Sequence, residues 1–374
     1  MRAFNLMEIA GIRVVIDPSW LFIFFLVVWS LATGYFPEAY PPIHGGSAWI
    51  LGVIAALLLF GSVLVHELSH ALLARRAGIQ VPRIRLFLFG GVSEMASEPQ
   101  NPGAEVRIAA AGPLTSFGLA VLFYLLSVTG LPSLVNGGRQ VVDYLAALNL
   151  ALGLFNLLPG FPLDGGRILR AWLWARSGNL LSATRAAGRA GSIVGFGLIG
   201  LGLLQLVMNH NLGGLWLMVI GMFLNQAATA SYEFLRLRDT LSGYRVRQVM
   251  TQPVITVPEH ASLEELAHEY FFRHPRGSFP VTSGTQDQFA GMVSLEQLKG
   301  VPRDEWTRTP VRQIMTPAAL LRPLDPDDTC ATALEIMVRG DVGRLPVIAG
   351  GRIAGILSRR DIMQLFKVRS DLGS

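Results

Sequence analysis

Two histidines and a glutamate occur at a spacing that suits a metal ion. The sequence His66-Glu67-Leu-Ser-His70 ends a long uncharged run. On a helix, residues four apart lie on one face, so both imidazoles can reach one tetrahedral Zn²⁺ at about 2.0 to 2.1 Å, with Glu67 beside the metal. Zinc proteases use this spacing to bind the metal and to place a general base. A chance match is disfavoured because an unpaired charged side chain at membrane depth costs about 2.5 to 3.5 kcal/mol.

A third ligand is predicted in a segment rich in proline and glycine. Catalytic zinc sites use three protein ligands, and Asp164 is the only carboxylate between Asp143 and Glu233. It lies in residues 156–167, NLLPGFPLDGGR, whose prolines and glycines prevent a regular helix. Irregular backbone at membrane depth is tolerated where it is buried in protein or lines a wet cavity. Asp164 is therefore predicted to complete the site, the alternative being an N-cap of the helix that follows.

The chemistry of such a site is hydrolysis of a peptide bond. Zinc polarises an amide carbonyl and acidifies water, and Glu67 would act as general base and then pass the proton to the leaving amine. Asn156 precedes Asp164 by eight residues. Its amide could donate to the developing oxyanion or to the substrate backbone, and the equal alternative is a hydrogen bond between helices.

The charge distribution predicts a membrane part followed by a soluble part. Of the 374 residues, 51% are hydrophobic and only 15% are charged, against roughly 25% in soluble proteins. Residues 1–235 carry 23 of the 57 charged side chains. Cys330 is the only cysteine, so an internal disulfide is excluded. The basic excess is small and forms no run interleaved with aromatic residues, so nucleic acid is not an expected partner.

Uncharged runs predict six membrane spans, since a helix needs about 20 apolar residues to cross the hydrocarbon core. They are residues 18–37, 45–65, 108–135, 144–163 and two within 190–232, separated at residues 209–211. The loops after spans two and four and the exit of span six are rich in arginine, whereas the opposite loops hold only Arg139. The positive-inside rule therefore predicts a multi-pass protein of the cell membrane with both termini and the soluble part in the cytoplasm.

Short strands are predicted near the cytoplasmic face at residues 13–17 and 84–89, followed by Gly90 and Gly91. Ordinary interfacial loops are the alternative interpretation. The metal is expected in the cytoplasmic half of the bilayer, because residues 50–66 of the second span cover about 24 Å from its outer end. The substrate would be a membrane-spanning protein segment, unwound locally and held by strand addition near Gly90 and Gly91.

These motifs resemble the site-2 protease family of intramembrane zinc metalloproteases, related to peptidase family M50. The HExxH motif and residues 156–165 match its two main motifs, residues 112–116 (GPLTS) resemble its small-residue motif, and residues 89–91 resemble its membrane-associated hairpin. The resemblance implies a polytopic α-helical membrane domain with six core spans, one Zn²⁺ at His66, His70 and Asp164, and Glu67 as base. It also implies regulated intramembrane proteolysis of membrane-anchored substrates.

The soluble part contains a repeat. Residues 246–251 (VRQVMT) recur as residues 311–316 (VRQIMT). Two copies, about 246–305 and 311–368, resemble tandem CBS motifs, an α/β module that binds adenine nucleotides (ATP, ADP or AMP) and pairs into dimers. The family's Ser/Thr-x-x-Asp ending is present as Ser358 and Asp361, whereas the first copy has residues 294–297, SLEQ. A dimerisation module without a ligand is the alternative.

The predicted organisation is a membrane zinc metalloprotease domain over residues 1–240 and a tandem CBS module over residues 241–374. The expected partners are a transmembrane protein substrate, membrane lipid, an adenine nucleotide and a second copy bound through the CBS pair. The competing hypothesis is a CBS-gated transporter or channel with a metal site. Glu67 separates the two, because a hydrolase requires the base and a metal transporter does not.

Overall fold

The computed structural model describes residues 4–209, 213–274, 277–284, 288–340 and 342–371. The chain forms two compact units, Met1–Glu233 and Phe234–Ser374. The break predicted between the last two spans includes His210 and Asn211, which lie outside the described residues.

The first unit consists of long helices and one small sheet, and its last helix extends beyond Glu233, the end of this unit. In chain order the helices are α1 (Pro18–Ser30), α2 (Phe36–Ala39), α3 (Gly46–Arg76), α4 (Pro102–Val128), α5 (Gly138–Asn156), α6 (Asp164–Ser177), α7 (Leu180–Asn209) and α8 (Gly213–Ser242). Five helical segments among the described residues are long and apolar enough to cross a membrane: Pro18–Ala39, Gly46–Arg76, Pro102–Val128, Leu180–Met208 and Gly213–Ser242. The predicted helical membrane domain is therefore confirmed, although five such segments are found among the described residues where six spans were predicted.

Helices α4 and α5 begin before the uncharged runs that predicted them. Helix α4 begins at Pro102, because the Asn101 side chain caps it by accepting a hydrogen bond from the Ala104 amide at 2.8 Å. Helix α5 has 19 residues and is not among the five segments. Its first turns contain Arg139 and Asp143, which form an exposed ion pair at 3.7 Å. Both spans were predicted to begin too late in the sequence, because charged residues in the first turns of each helix were taken to lie outside it.

The sheet of the first unit has four strands, β1 (Phe4–Ile9), β2 (Ile12–Ile16), β3 (Arg83–Phe87) and β4 (Gly90–Glu94). They pair in the order β1-β2-β3-β4, so β4 lies at an edge of the sheet. Strands β2 and β3 are parallel, and β3 and β4 form an antiparallel hairpin. Glu94 of β4 pairs with Arg83 and Arg85 of β3 at 2.5 and 3.2 Å, which fixes the hairpin register. The predicted strands and hairpin are present, whereas β1 was not predicted.

The hairpin turn packs against α8 through aromatic rings. Phe89 stacks on Phe223, with ring centroids 4.2 Å apart, and on Trp216 at 6.2 Å. Trp216 and Phe223 are seven residues apart and therefore lie on one face of α8. Phe87 contacts Phe223 as well, at 6.1 Å. We call Phe87, Phe89, Trp216 and Phe223 the hairpin aromatic cluster.

The second unit is an α/β module built around one sheet. Five strands pair in the order β5-β6-β7-β10-β9, and β8 pairs with β7. The strands are β5 (Val257–Pro258), β6 (Ser278–Ser283), β7 (Gln288–Ser294), β8 (Thr316–Pro317), β9 (Arg344–Ala349) and β10 (Arg352–Ser358). The helices with four or more α-helical residues are α9 (Leu295–Lys299), α10 (Cys330–Arg339) and α11 (Arg359–Asp371).

The first segment of each sequence repeat packs into the hydrophobic core of the other repeat. Val246, which opens the first copy, is buried in a core made mainly by the second copy, with Leu324, Met337 and Leu357. Val311, which opens the second copy, is buried in the core of the first. Each repeat thus completes the hydrophobic core of the other, so neither copy buries its apolar residues alone.

Candidate metal centre

The three predicted metal ligands lie together. His66 and His70 are one turn apart on α3, and they are 4% and 5% exposed. Asp164 begins α6. Its Oδ2 atom lies 3.3 Å from His66 Nε2 and 3.2 Å from His70 Nε2, and the two Nε2 atoms are 3.2 Å apart. These three atoms form a nearly equilateral triangle.

The triangle fits a tetrahedral zinc ion. Ligands at about 2.0 to 2.1 Å from one tetrahedral ion lie about 3.3 Å from each other. Two imidazoles and a carboxylate are a zinc donor set with an open fourth position. Asp164 Oδ2 is buried and accepts no hydrogen bond from the described residues. A buried acceptor without a donor is costly, so a cation suits this position.

Helix α4 holds both imidazoles from outside the triangle. His70 Nδ1 lies 2.7 Å from the Ile108 carbonyl oxygen, and His66 Nδ1 lies 2.9 Å from Ser116 Oγ. A carbonyl oxygen can only accept, so His70 Nδ1 carries a proton, and in the neutral imidazole Nε2 then presents a lone pair. Such outer hydrogen bonds fix the tautomer and the ring orientation of metal-binding histidines.

Gly112 lets α4 approach the ligands. It lies between Ile108 and Ser116 on the same face of α4, at helical spacing. A Cβ atom at this position would overlap the Nε2 atoms of both His66 and His70. The GPLTS motif thus combines a close approach at Gly112 with a hydrogen bond between Ser116 and His66, functions that the sequence did not assign.

Asp164 is held by the turn that precedes it. Leu163, not Asp164, occupies the N-cap position of α6, and no side chain caps the helix. The turn is anchored on α7, because the Phe161 amide donates to the Ala187 carbonyl at 3.1 Å. The Asp164 carboxylate therefore faces the histidines rather than serving as the N-cap that was its alternative interpretation.

Glu67 contacts the sheet. Its carboxylate oxygen Oε2 accepts a hydrogen bond from Ser93 Oγ of β4 at 2.9 Å. The same hydroxyl lies 3.0 Å from the Glu67 carbonyl oxygen. Ser93 carried no sequence signal, because the contact joins residues 26 positions apart.

A buried ion pair joins α6 to α4 behind the ligands. Arg170 Nε donates to Glu105 Oε1 at 2.6 Å, and Arg170 Nη2 contacts Glu98 at 2.9 Å. The side chains of Arg170 and Glu105 are 4% and 2% exposed, whereas that of Glu98 is 45% exposed. Asp164 lies six residues before Arg170 on α6, and Ile108 lies three residues after Glu105 on α4. The pair therefore connects two helices that contribute to the site.

The other predicted site residues lie on neighbouring elements. Asn156 ends α5 and is half-buried, and its amide donates to the Leu152 carbonyl of its own helix at 3.0 Å. Gly90 and Gly91 begin β4. A Cβ atom at Gly91 would lie 2.5 Å from Glu67 Cγ, so Gly91 allows the strand to pack against the glutamate.

In the second unit, Ser358 and Asp361 form a compact hydrogen-bonded turn. Asp361 Oδ2 accepts from the Ser358 amide at 2.9 Å and from its hydroxyl at 2.7 Å. In the first copy, Gln297 Oε1 accepts from the Ser294 amide at 2.8 Å, and Gln297 Nε2 donates to Thr316 Oγ1 at 2.9 Å. Both ends of the Gln297 amide are thus used within the protein.

Comparison with known proteins identifies the family. The profile of Peptidase family M50 matches residues 54–200, which include the candidate metal centre, and that of the CBS domain matches residues 246–302 and 311–367. The zinc metalloprotease Rip3 of Mycobacterium tuberculosis is 37% identical over 98% of this chain and 93% of its own length. The chain belongs to peptidase family M50. This M50 peptidase is a zinc metalloprotease with tandem CBS domains, as its motifs predicted.

Two further proteins are similar to this chain. The zinc metalloprotease sll0528 of Synechocystis is 32% identical over 95% of this chain and 93% of its own length. The solved structure of the site-2 protease from Methanocaldococcus jannaschii is 30% identical, covering 61% of this chain and 94% of that chain with a TM-score of 0.44.

Proposed function

We propose that this M50 peptidase is an intramembrane zinc endopeptidase in which His66, His70 and Asp164 bind one Zn²⁺ and Glu67 is the general base. The observation that carries the proposal is the buried triangle of two imidazole nitrogens and one carboxylate oxygen with edges of 3.2 to 3.3 Å. Glu67 is adjacent to His66 on α3, within an apolar spanning helix.

The protein's own groups would perform the proton transfers. Zinc, when bound, supplies a Lewis acid that polarises the scissile carbonyl and lowers the pKa of water. Glu67 would take the proton of the attacking water and deliver it to the leaving amine. Asn156 is proposed to donate its amide to substrate, in exchange for its present bond to the Leu152 carbonyl.

The proposed substrate is a transmembrane segment of a membrane-anchored protein, cleaved as a step of regulated intramembrane proteolysis. A helical segment hides its amide groups, so it must unwind before hydrolysis. The edge of β4, starting at Gly90 and Gly91, is the proposed docking place for the unwound chain. The termini and the CBS module are proposed to be cytoplasmic, from the arginine distribution.

The test is zinc content and cleavage in detergent-purified full-length protein. We expect about one zinc per chain in wild type and in Glu67→Gln, and loss of most zinc in Asp164→Asn. A synthetic single-span peptide should be cleaved by wild type alone. Wild type without tightly held zinc would contradict the proposal. Metal flux in vesicles that survives Glu67→Gln would favour a transporter.

We further propose that the CBS module binds one adenine nucleotide per chain, at Asp361, and that binding changes protease activity. Asp361 Oδ2 is engaged by Ser358, and the second carboxylate oxygen can accept from a ribose hydroxyl. The equivalent Gln297 is occupied at both ends of its amide, which disfavours a second site. A dimer through the CBS module and contact with lipid complete the proposed partners.

Calorimetric titration of the full chain with ATP, ADP and AMP tests this second proposal. We expect a stoichiometry near one for wild type, loss of binding in Asp361→Asn, and little change in Gln297→Ala. Two equivalent sites, or binding that Asp361→Asn does not weaken, would contradict the assignment.

A further inference from the structure

Glu67 is held from outside its own helix by the hydroxyl group of Ser93. The Ser93 hydroxyl on β4 lies 2.9 Å from the Glu67 carboxylate and 3.0 Å from the Glu67 carbonyl oxygen. A hydroxyl positioned between a side-chain oxygen and the backbone oxygen of one residue restricts rotation of that side chain. Ser93 supplies the hydrogen bond to the Glu67 carboxylate within the described part of the chain.

One face of strand β4 packs against Glu67. Gly91 and Ser93 are two residues apart, so they share one face of β4, and that face meets Glu67. The Gly91 position leaves no space for a Cβ atom, which would lie 2.5 Å from Glu67 Cγ. Val92, between them, lies on the opposite face and is 46% exposed. Contact with Glu67 is therefore a property of one strand face.

We propose that Ser93 is a positioning residue that orients Glu67 toward the reacting water, and that it links occupation of the β4 edge to the orientation of the base. This inference rests on the proposed function. Ser93 also pairs with Ile84 of β3, so its position is fixed by the hairpin register. A chain added to the edge of β4 would hold this strand in place, and with it the Ser93 hydroxyl. Strand β4 would then both bind the substrate and orient the general base.

The test compares Ser93→Ala and Ser93→Thr with Val92→Ala, a matched change on the opposite face of the same strand. Three quantities are measured on full-length protein: zinc per chain, kcat and KM for a fluorescent single-span peptide, and affinity for a leucyl-peptide hydroxamate. A hydroxamate ligates zinc and hydrogen bonds to the neighbouring carboxylate, so its affinity reports the orientation of Glu67 without any cleavage.

We expect Ser93→Ala to retain zinc, to lose about 10- to 100-fold in kcat with little change in KM, and to bind hydroxamate more weakly by a similar factor. Ser93→Thr keeps the hydroxyl group and should therefore retain most of the wild-type kcat and most of the wild-type hydroxamate affinity. Wild-type hydroxamate affinity in Ser93→Ala, or an equal loss in Val92→Ala, overturns the inference. If wild type holds zinc but cleaves no single-span peptide, the proposed function fails. The hydroxamate affinities still show in that case whether Ser93 orients Glu67.

Discussion

The Arg170–Glu105 ion pair should dominate the stability of the helices around the candidate metal centre. Replacing Arg170 with Met leaves Glu105 buried, with a side chain 2% exposed, and removes the partner of Oε1. Its other oxygen, Oε2, already has no hydrogen-bond partner among the described residues. Breaking a buried pair in this way costs about 3 to 5 kcal/mol. The bond to the half-exposed Glu98 should contribute only about 0 to 1 kcal/mol.

The assay is unfolding of detergent-solubilised protein by SDS, followed by tryptophan fluorescence, because Trp172 and Trp174 are on α6. We expect Arg170→Met to lower the free energy of unfolding by about 3 to 5 kcal/mol. Glu98→Gln, the control, should change it by about 1 kcal/mol or less. The double variant Arg170→Met with Glu105→Leu should recover most of the loss, because an apolar pair of similar volume often replaces a buried ion pair at no cost.

Two results would refute this reasoning. The first is a loss in Arg170→Met no larger than that in Glu98→Gln. The second is a double variant as unstable as the sum of the two single variants, since that would place the loss in packing rather than in an unpaired carboxylate.

Further predictions concern the ligands and the second unit. Ser116→Ala should weaken zinc binding about 10- to 100-fold in chelator competition, because His66 loses its outer hydrogen bond. Gly112→Ala should abolish zinc retention, measured by metal analysis, since the added Cβ overlaps both Nε2 atoms. Burial raises the pKa of the Cys330 thiol to about 11, so thiol labelling of native protein should stay slow at pH 8. Because unfolded Cys330 ionises at lower pH, stability of the CBS unit should fall as pH rises from about 9 to 11.

The sequence predicted which residues come together in the candidate site better than it predicted the residues that support them. His66, Glu67 and His70 follow from one local motif on one helix. Asp164 follows from the scarcity of carboxylates in the apolar half and from the proline- and glycine-rich segment before it, which is irregular between α5 and α6, although α6 itself begins at Asp164. These arguments use short-range geometry and the cost of charge in a membrane, both of which are visible in sequence.

The supporting residues depend on contacts between distant parts of the chain. Ser93 is 26 residues from Glu67, and Ser116 is 50 residues from His66. Nothing local distinguishes Ser93 from other serines, and the GPLTS motif that contains Ser116 does not show that its hydroxyl reaches His66. The position of Glu105 was missed for a related reason. As a charged residue it was excluded from the third predicted span, but its ion pair with Arg170 allows it to lie buried in α4.

The hairpin aromatic cluster has a consequence for how the protein must be handled. In water, the stack of Phe89 on Phe223, with centroids 4.2 Å apart, would be stabilised by the hydrophobic effect. Phe223 belongs to a helix that is long and apolar enough to cross a membrane, and lipid tails are as apolar as a leucine side chain, so lipid offers the rings an alternative apolar environment. The hairpin and α8 are therefore joined by a contact whose strength is set by the surrounding amphiphile. The thickness and the chain packing of the chosen detergent or bilayer should therefore be specified for each assay, as the buffer is.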